Sequence, residues 1–150
     1  MAIADDTVRS FATAIDTNEL ETAADFLAAD FIFSGWAQKS LNKADFLSLI
    51  SSLKEGIPGL SLNLHNVLES GQDTVTGTIH ISGYQSGSFV IPVLGTPPIP
   101  QMAKSVSLPT EEVTFHVKDN LINAFEVKHV EGGGIRGLVR QLGIDLTIVP

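Results

Sequence analysis

At 150 residues the chain is long enough for one domain with its own apolar core, and it carries a net charge of −8. Seven of the seventeen acids fall between Asp5 and Asp30 with only Arg9 to balance them, a surface that repels phosphate backbones and excludes nucleic acid as an expected partner. The absence of cysteine excludes disulfides and thiolate chemistry. No apolar run reaches membrane-spanning length, and the opening Met-Ala-Ile-Ala-Asp-Asp carries acids where an export signal needs bases and an apolar run. A cytoplasmic protein without a membrane partner is therefore expected.

Three helices are predicted ahead of the sheet. Asp5 or Asp6 can cap the first, whose apolar residues Val8, Phe11, Ala12 and Ile15 share one face. Thr17 or Asn18 restarts the chain into a short second helix with Leu20, Ala23, Ala24 and Leu27 inward. A brief strand over 31–36 follows. The third helix is capped by Asn42, carries the stripe Phe46, Leu49, Ile50 and Leu53, and is stopped by Gly56 and Pro58.

From Leu60 onward the period changes to two. With a turn at 70–73, Leu68 is expected to face Val75 and Leu64 to face Ile79, leaving His65 and His80 on the polar side. The second hairpin turns at Asp119-Asn120, a favourable type I′ pair, which aligns Val117 with Ile122, Phe115 with Ala124 and Val113 with Glu126. On that register Glu126 intrudes on the apolar face, with Lys128 two residues on, while Phe125 and Val127 face outward beside Thr114, His116 and His129. The segment 86–104 between the hairpins, with Pro92, Pro97, Pro98 and Pro100, cannot be central sheet. Within it, the proline-rich excursion from Pro92 to Gln101 is expected to cover a pocket or to reach a partner subunit.

Gly132, Gly134 and Gly137 spell G-x-G-x-x-G after a strand-like run, the pattern of a dinucleotide-binding turn. Such a fold needs a further βα unit and an acid about 20 residues downstream, and only thirteen residues follow Gly137. The glycines are better read as a sharp exit from the last strand into an amphipathic cap of Ile135, Leu138, Val139 and Leu142, with Arg136 and Arg140 outward.

Helices followed by an antiparallel meander indicate an α+β fold. The order of elements, the segment Gly-Tyr-Gln-Ser-Gly at 83–87, the proline-rich loop, the strand-turn-strand at 115–122 and the ending Gly-Leu-Val-Arg-Gln-Leu-Gly at 137–143 together resemble the SnoaL-like polyketide cyclase branch of the nuclear transport factor 2-like superfamily. The resemblance covers the chain from the first helix to Gly143, one domain over 1–150. It implies a curved antiparallel sheet wrapped around N-terminal helices into a cone, an apolar pocket inside, frequent homodimers, and ring closure by a pocket acid without metal or cofactor. That family often carries histidine in the middle of G-x-H-x-G, where this chain has Gln85, and an aspartate before the final helix, where this chain has glycines and Glu131. Gln85 can orient a carbonyl but cannot exchange a proton.

Two acids are thus catalytic candidates: Glu126, in the cone unless Lys128 neutralises it as a structural pair, and Glu131 on the glycine turn. Trp36, Gln85, Phe33, Phe46 and Phe115 are the expected pocket lining. The four histidines lack ligand spacing such as H-x-x-x-H, so no metal is expected. Two functions remain open, a pocket protein binding a small, largely apolar ligand and a cofactor-independent cyclase or isomerase. A homodimer through the outer sheet face, built on Phe125 and Val127, is expected with either.

Overall fold

The computed structural model describes residues 3–36, 39–92, 95 and 98–143. Helices α1 (Ile3–Asp16) and α2 (Leu20–Asp25) lead into strand β1 (Leu27–Ser34), a short β2 (Leu41–Asn42) and helix α3 (Lys43–Gly56). Strands β3 (His65–Glu69), β4 (Thr74–Ile79), β5 (Ser82–Tyr84), β6 (Ser105–Ser107), β7 (Glu111–Lys118) and β8 (Leu121–Val127) follow, and α4 (Gly134–Gln141) is the last described element. The main sheet has the order β2-β1-β8-β7-β4-β3, and β5 with β6 forms a second, two-stranded sheet. β1 runs parallel to β8, and the other pairs are antiparallel.

The helical stripes form as their spacing demands. Val8, Phe11, Ala12 and Ile15 of α1 are buried, as are Phe46, Leu49, Ile50 and Leu53 of α3. The Asn42 side chain accepts the Asp45 N–H at 2.9 Å and so caps α3. Leu27, expected in the second helix, opens β1 instead, because α2 ends at Asp25. Both ends of α3 are tied down. At its C-terminal end the Lys54 ammonium is buried and donates to the Leu60 carbonyl at 2.6 Å and the Asp16 carbonyl at 3.4 Å. Burial lowers its pKa, and the Asp16 charge opposes that shift.

Two bulges correct the expected registers. In the first hairpin His65 pairs with Thr78 but Leu68 with Thr76, because Asn66 takes a left-handed conformation (φ 55°) and adds a residue to β3. Val67 turns inward and Leu68 becomes 66% exposed, so Leu68 does not face Val75. In the second hairpin the turn at Asp119 and Asn120 has positive φ at both residues, and Val117 pairs with Ile122 as expected. Beyond it the register shifts by one: His116 lies opposite Ala124, Phe115 opposite Phe125, Thr114 opposite Glu126 and Val113 opposite Val127. A one-residue shift exchanges the faces of everything that follows. Phe125 and Val127 are therefore core residues, 1% and 6% exposed, and Glu126 leaves the cone.

The proline-rich excursion folds back on its own chain. Phe89 bridges Ile99, and both are buried with Ile91. The Ser86 and Gly87 amides donate to the Gly56 carbonyl at the end of α3, where the Phe89 ring leaves no room for a side chain at position 56. Val93, Leu94, Thr96 and Pro97 of this excursion lie outside the described residues.

Candidate active site at the mouth of the cone

Strand β7 reads Glu-Glu-Val-Thr-Phe-His-Val-Lys, and its inward positions are Glu111, Val113, Phe115 and Val117. Alternation alone carries Glu111 into the interior two residues before Val113. The side chain is 1% exposed, and neither carboxyl oxygen has a hydrogen-bond partner. Burial pushes its pKa up to about 7, an effect moderated by the Trp36 indole and by the Gly134 N–H. These two groups lie near the carboxyl without closing a hydrogen bond to it, since the buried Trp36 Nε1 is itself unpartnered.

The rest of the site is built from the exit of β1 and the entry to α4. The Ile135 N–H donates to the Trp36 carbonyl at 3.3 Å, which pins the start of the helix to the residue whose indole faces Glu111. Gly133, the N-cap residue of α4, packs on the acid so closely that a Cβ there would stand 2.8 Å from Glu111 Oε2. Gly134 has φ +70°, and a Cβ on it would stand 3.0 Å from the Trp36 carbonyl oxygen. The glycine run therefore serves close approach and a left-handed turn. Ile135, Leu138, Val139 and Leu142 are all buried, as an amphipathic cap requires. On the far side of Gly133 lies an open cleft of about 310 Å³ whose lining includes His129, Glu131, Arg136 and Arg140.

The expected site residues do not converge. Glu126 lies on the outer face, its side chain 54% exposed and 3.6 Å from His116 Nε2. Lys128 pairs with Glu112 at 3.8 Å, also exposed, so no Glu126–Lys128 pair exists. Glu131 is exposed on the glycine turn and borders the cleft rather than the buried acid. Phe33, Phe46 and Phe115 are buried against other rings: Phe33 and Phe46 have centroids 4.8 Å apart, and Phe115 stacks on Phe125 at 4.4 Å. Trp36 alone of the expected lining stands at the site, edge-on to Phe33 at 5.5 Å.

Gln85 is buried but faces its own loop. Its amide donates to the Pro100 carbonyl and accepts the Met102 N–H, each at 2.8 Å. Gln85→Leu is expected to lower stability by about 1–2 kcal/mol, because two backbone groups lose their partners while water reaches part of the loop. Urea unfolding together with faster proteolysis between residues 92 and 104 checks this.

Glu111 is the acid that sequence reasoning missed. The signal was present: extending the period of Val113, Phe115 and Val117 back by one step reaches it. Among the described residues no group of three His, Asp or Glu side chains is placed to hold a metal ion, and no helix is long and apolar enough to cross a membrane.

Solved structures with this architecture carry several names. The candidate polyketide cyclase IdmH of Streptomyces antibioticus is 16% identical, with a TM-score of 0.70 over 94% of this chain and 99% of its own. A candidate SnoaL-like polyketide cyclase of Jannaschia is also 16% identical, with a TM-score of 0.66 over 83% of each chain. An LEH-like epoxide hydrolase of M. tuberculosis is 15% identical, with a TM-score of 0.65 over 94% of this chain and 92% of its own. At such identities the likeness is one of fold. No curated protein matches the sequence. The sequence pattern of the NTF2-like domain, however, matches residues 1–119, and the curved six-stranded sheet packed on α1 and α3 is the architecture that pattern describes. The chain belongs to the NTF2-like domain family.

Proposed function

We propose that this protein binds a small, largely apolar molecule at the mouth of the cone, in the manner of the SnoaL-like branch, with Glu111 and Trp36 as the polar anchor. One observation carries the reading: a buried carboxyl and a buried indole N–H lie near each other, and neither has a hydrogen-bond partner. Buried polar groups are almost always paired, so an orphaned pair suits a ligand that supplies the missing partner. An uncharged Glu111 donates through its O–H and Trp36 through its N–H, and a ligand carbonyl oxygen accepts from both.

The second reading is a cofactor-independent cyclase or isomerase, and it is favoured by the pKa of Glu111. A carboxyl raised to about 7 is matched to proton transfer near neutral pH, and in an enclosed apolar site it can serve as acid or base beside a carbonyl-activated carbon. The neighbours named as candidate polyketide cyclases are consistent with that chemistry.

A panel of aromatic β-diketones, followed by native mass spectrometry, tests the anchor. Binding should weaken about tenfold in both Trp36→Phe and Glu111→Leu, each of which deletes one hydrogen-bonding group. Retention of full affinity in both variants refutes it. Turnover of any bound diketone by the wild type, lost in Glu111→Gln, would establish the second reading.

A homodimer through the outer sheet face belongs to the same proposal, on a changed basis. That face presents Thr74, Thr76, Thr114, His116 and Glu126, with the exposed apolar Ile32 and Leu68 toward its two sides. Sedimentation of the wild type beside Leu68→Asp checks it, the variant being expected to shift toward monomer.

A further inference from the structure

Glu111 lies under the glycine turn that leads into α4. The turn at 131–134 separates it from the outer cleft, and within that turn Gly132 and Gly134 have φ of +86° and +70°. The far end of α4 is held differently: the Gln141 side chain accepts the Ser107 N–H and donates to the Ser107 carbonyl, each at 2.7 Å. His80 Nε2 in turn lies 2.8 Å from Ser107 Oγ. One end of α4 is thus clamped to β6 by two side-chain bonds, while the other carries two positive-φ glycines and is tied by backbone bonds from Ile135 to Trp36 and from Gly133 to Val130.

We propose that residues 131–134 and the first turn of α4 form a gate over Glu111, pivoting on the glycines and the Gln141 clamp, shut over the uncharged carboxyl and opened by its ionisation. The inference does not depend on any ligand. With the gate shut, the carboxylate would have neither water nor a hydrogen-bond partner, and an unpaired buried charge is costly. A lift of the glycine turn and first helical turn admits water and loosens the packing of Ile135, while Leu138, Val139 and Leu142 further along the helix keep their apolar contacts. The raised pKa of Glu111 agrees with this.

The charged and titratable groups on the surrounding elements are few. Glu112 beside it on β7 pairs with Lys128 on the outer face. His65 borders an outer groove that Glu111 also borders, and His80 is engaged with Ser107. His129 and Glu131 flank the turn, and Arg136 and Arg140 lie on α4. Histidines as a class titrate in the same range, so the decisive comparison keeps all of them and changes only Glu111.

The sign follows from linkage. An acid that holds its proton more tightly in the shut state than in the open one favours the shut state at low pH. Opening should rise about tenfold per pH unit from the ordinary carboxyl range up to about pH 7 and level off above it. Trp36, the single tryptophan, reports the gate through acrylamide quenching, and deuterium uptake at residues 131–142, corrected for the intrinsic effect of pH, reports the backbone. Between about pH 5.5 and 8 both should rise together in the wild type, with an opening constant increased on the order of 30-fold, and both should stay flat in Glu111→Gln. Glu111→Leu serves as a second uncharged variant should the amide disturb folding. The proposal is overturned by a flat wild-type response, by an equal rise in the uncharged variants, or by quenching that rises while the α4 amides stay protected.

Discussion

Replacing Phe125 by alanine is expected to cost about 3–5 kcal/mol, a large share of the stability of a domain this size. The ring stacks on Phe115 at 4.4 Å, meets Phe33 edge-on at 5.0 Å, and lies 6.1 Å from Phe46 and 6.3 Å from Phe11. These neighbours come from β7, β1, α3 and α1, so no one element can move to fill the space left behind. The neighbouring substitution Glu126→Gln should leave the melting temperature unchanged within error, because it removes only an exposed contact with His116. Paired thermal melts of the two variants also test the register of β8. Had the hairpin kept its alignment beyond Ile122, Glu126 would be the sensitive position and Phe125 the tolerant one.

The second large effect is a pH dependence centred on Glu111. Its pKa in the folded chain is about 7, while the unfolded chain restores the ordinary carboxyl value. The folded state therefore holds the proton more tightly, and the stabilisation is fully present at the acid end. It is lost as pH rises from the ordinary carboxyl range through about 7, and stability levels off beyond. Over about pH 5.5 to 8 the loss should amount to roughly 2 kcal/mol. Glu111→Gln carries no such term, so the stability of the variant relative to the wild type should rise by about that amount between about pH 5.5 and 8. Other carboxylates and the histidines act on both chains alike and drop out of the difference. Urea titrations of both proteins across this range measure it, and a difference independent of pH would show that the buried carboxyl is not the titrating group.

Much of this protein is determined by its sequence alone. The stripes of α1 and α3, the Asn42 cap, the Asp119-Asn120 turn and the amphipathic cap after the glycines are local matters of period and turn chemistry, and each was legible without the fold. So was the α+β order of elements, since helices ahead of a meander have few ways to pack. The inward place of Glu111 was legible too, because no irregularity separates it from Val113, Phe115 and Val117. What only the tertiary structure decided is the face of every residue beyond a bulge. Neither the left-handed Asn66 nor the extra residue between Ile122 and Ala124 changes local hydrophobicity, yet each reverses the alternation after it, sending Leu68 and Glu126 out and Val67 and Phe125 in. The same holds for Gln85, whose inward direction follows from period two but whose partners, Pro100 and Met102, are brought to it by a loop closing across the sheet. It holds for the site itself, because Trp36, Glu111 and Gly133 are far apart in the chain and meet only where α4 folds back over the open end of the sheet.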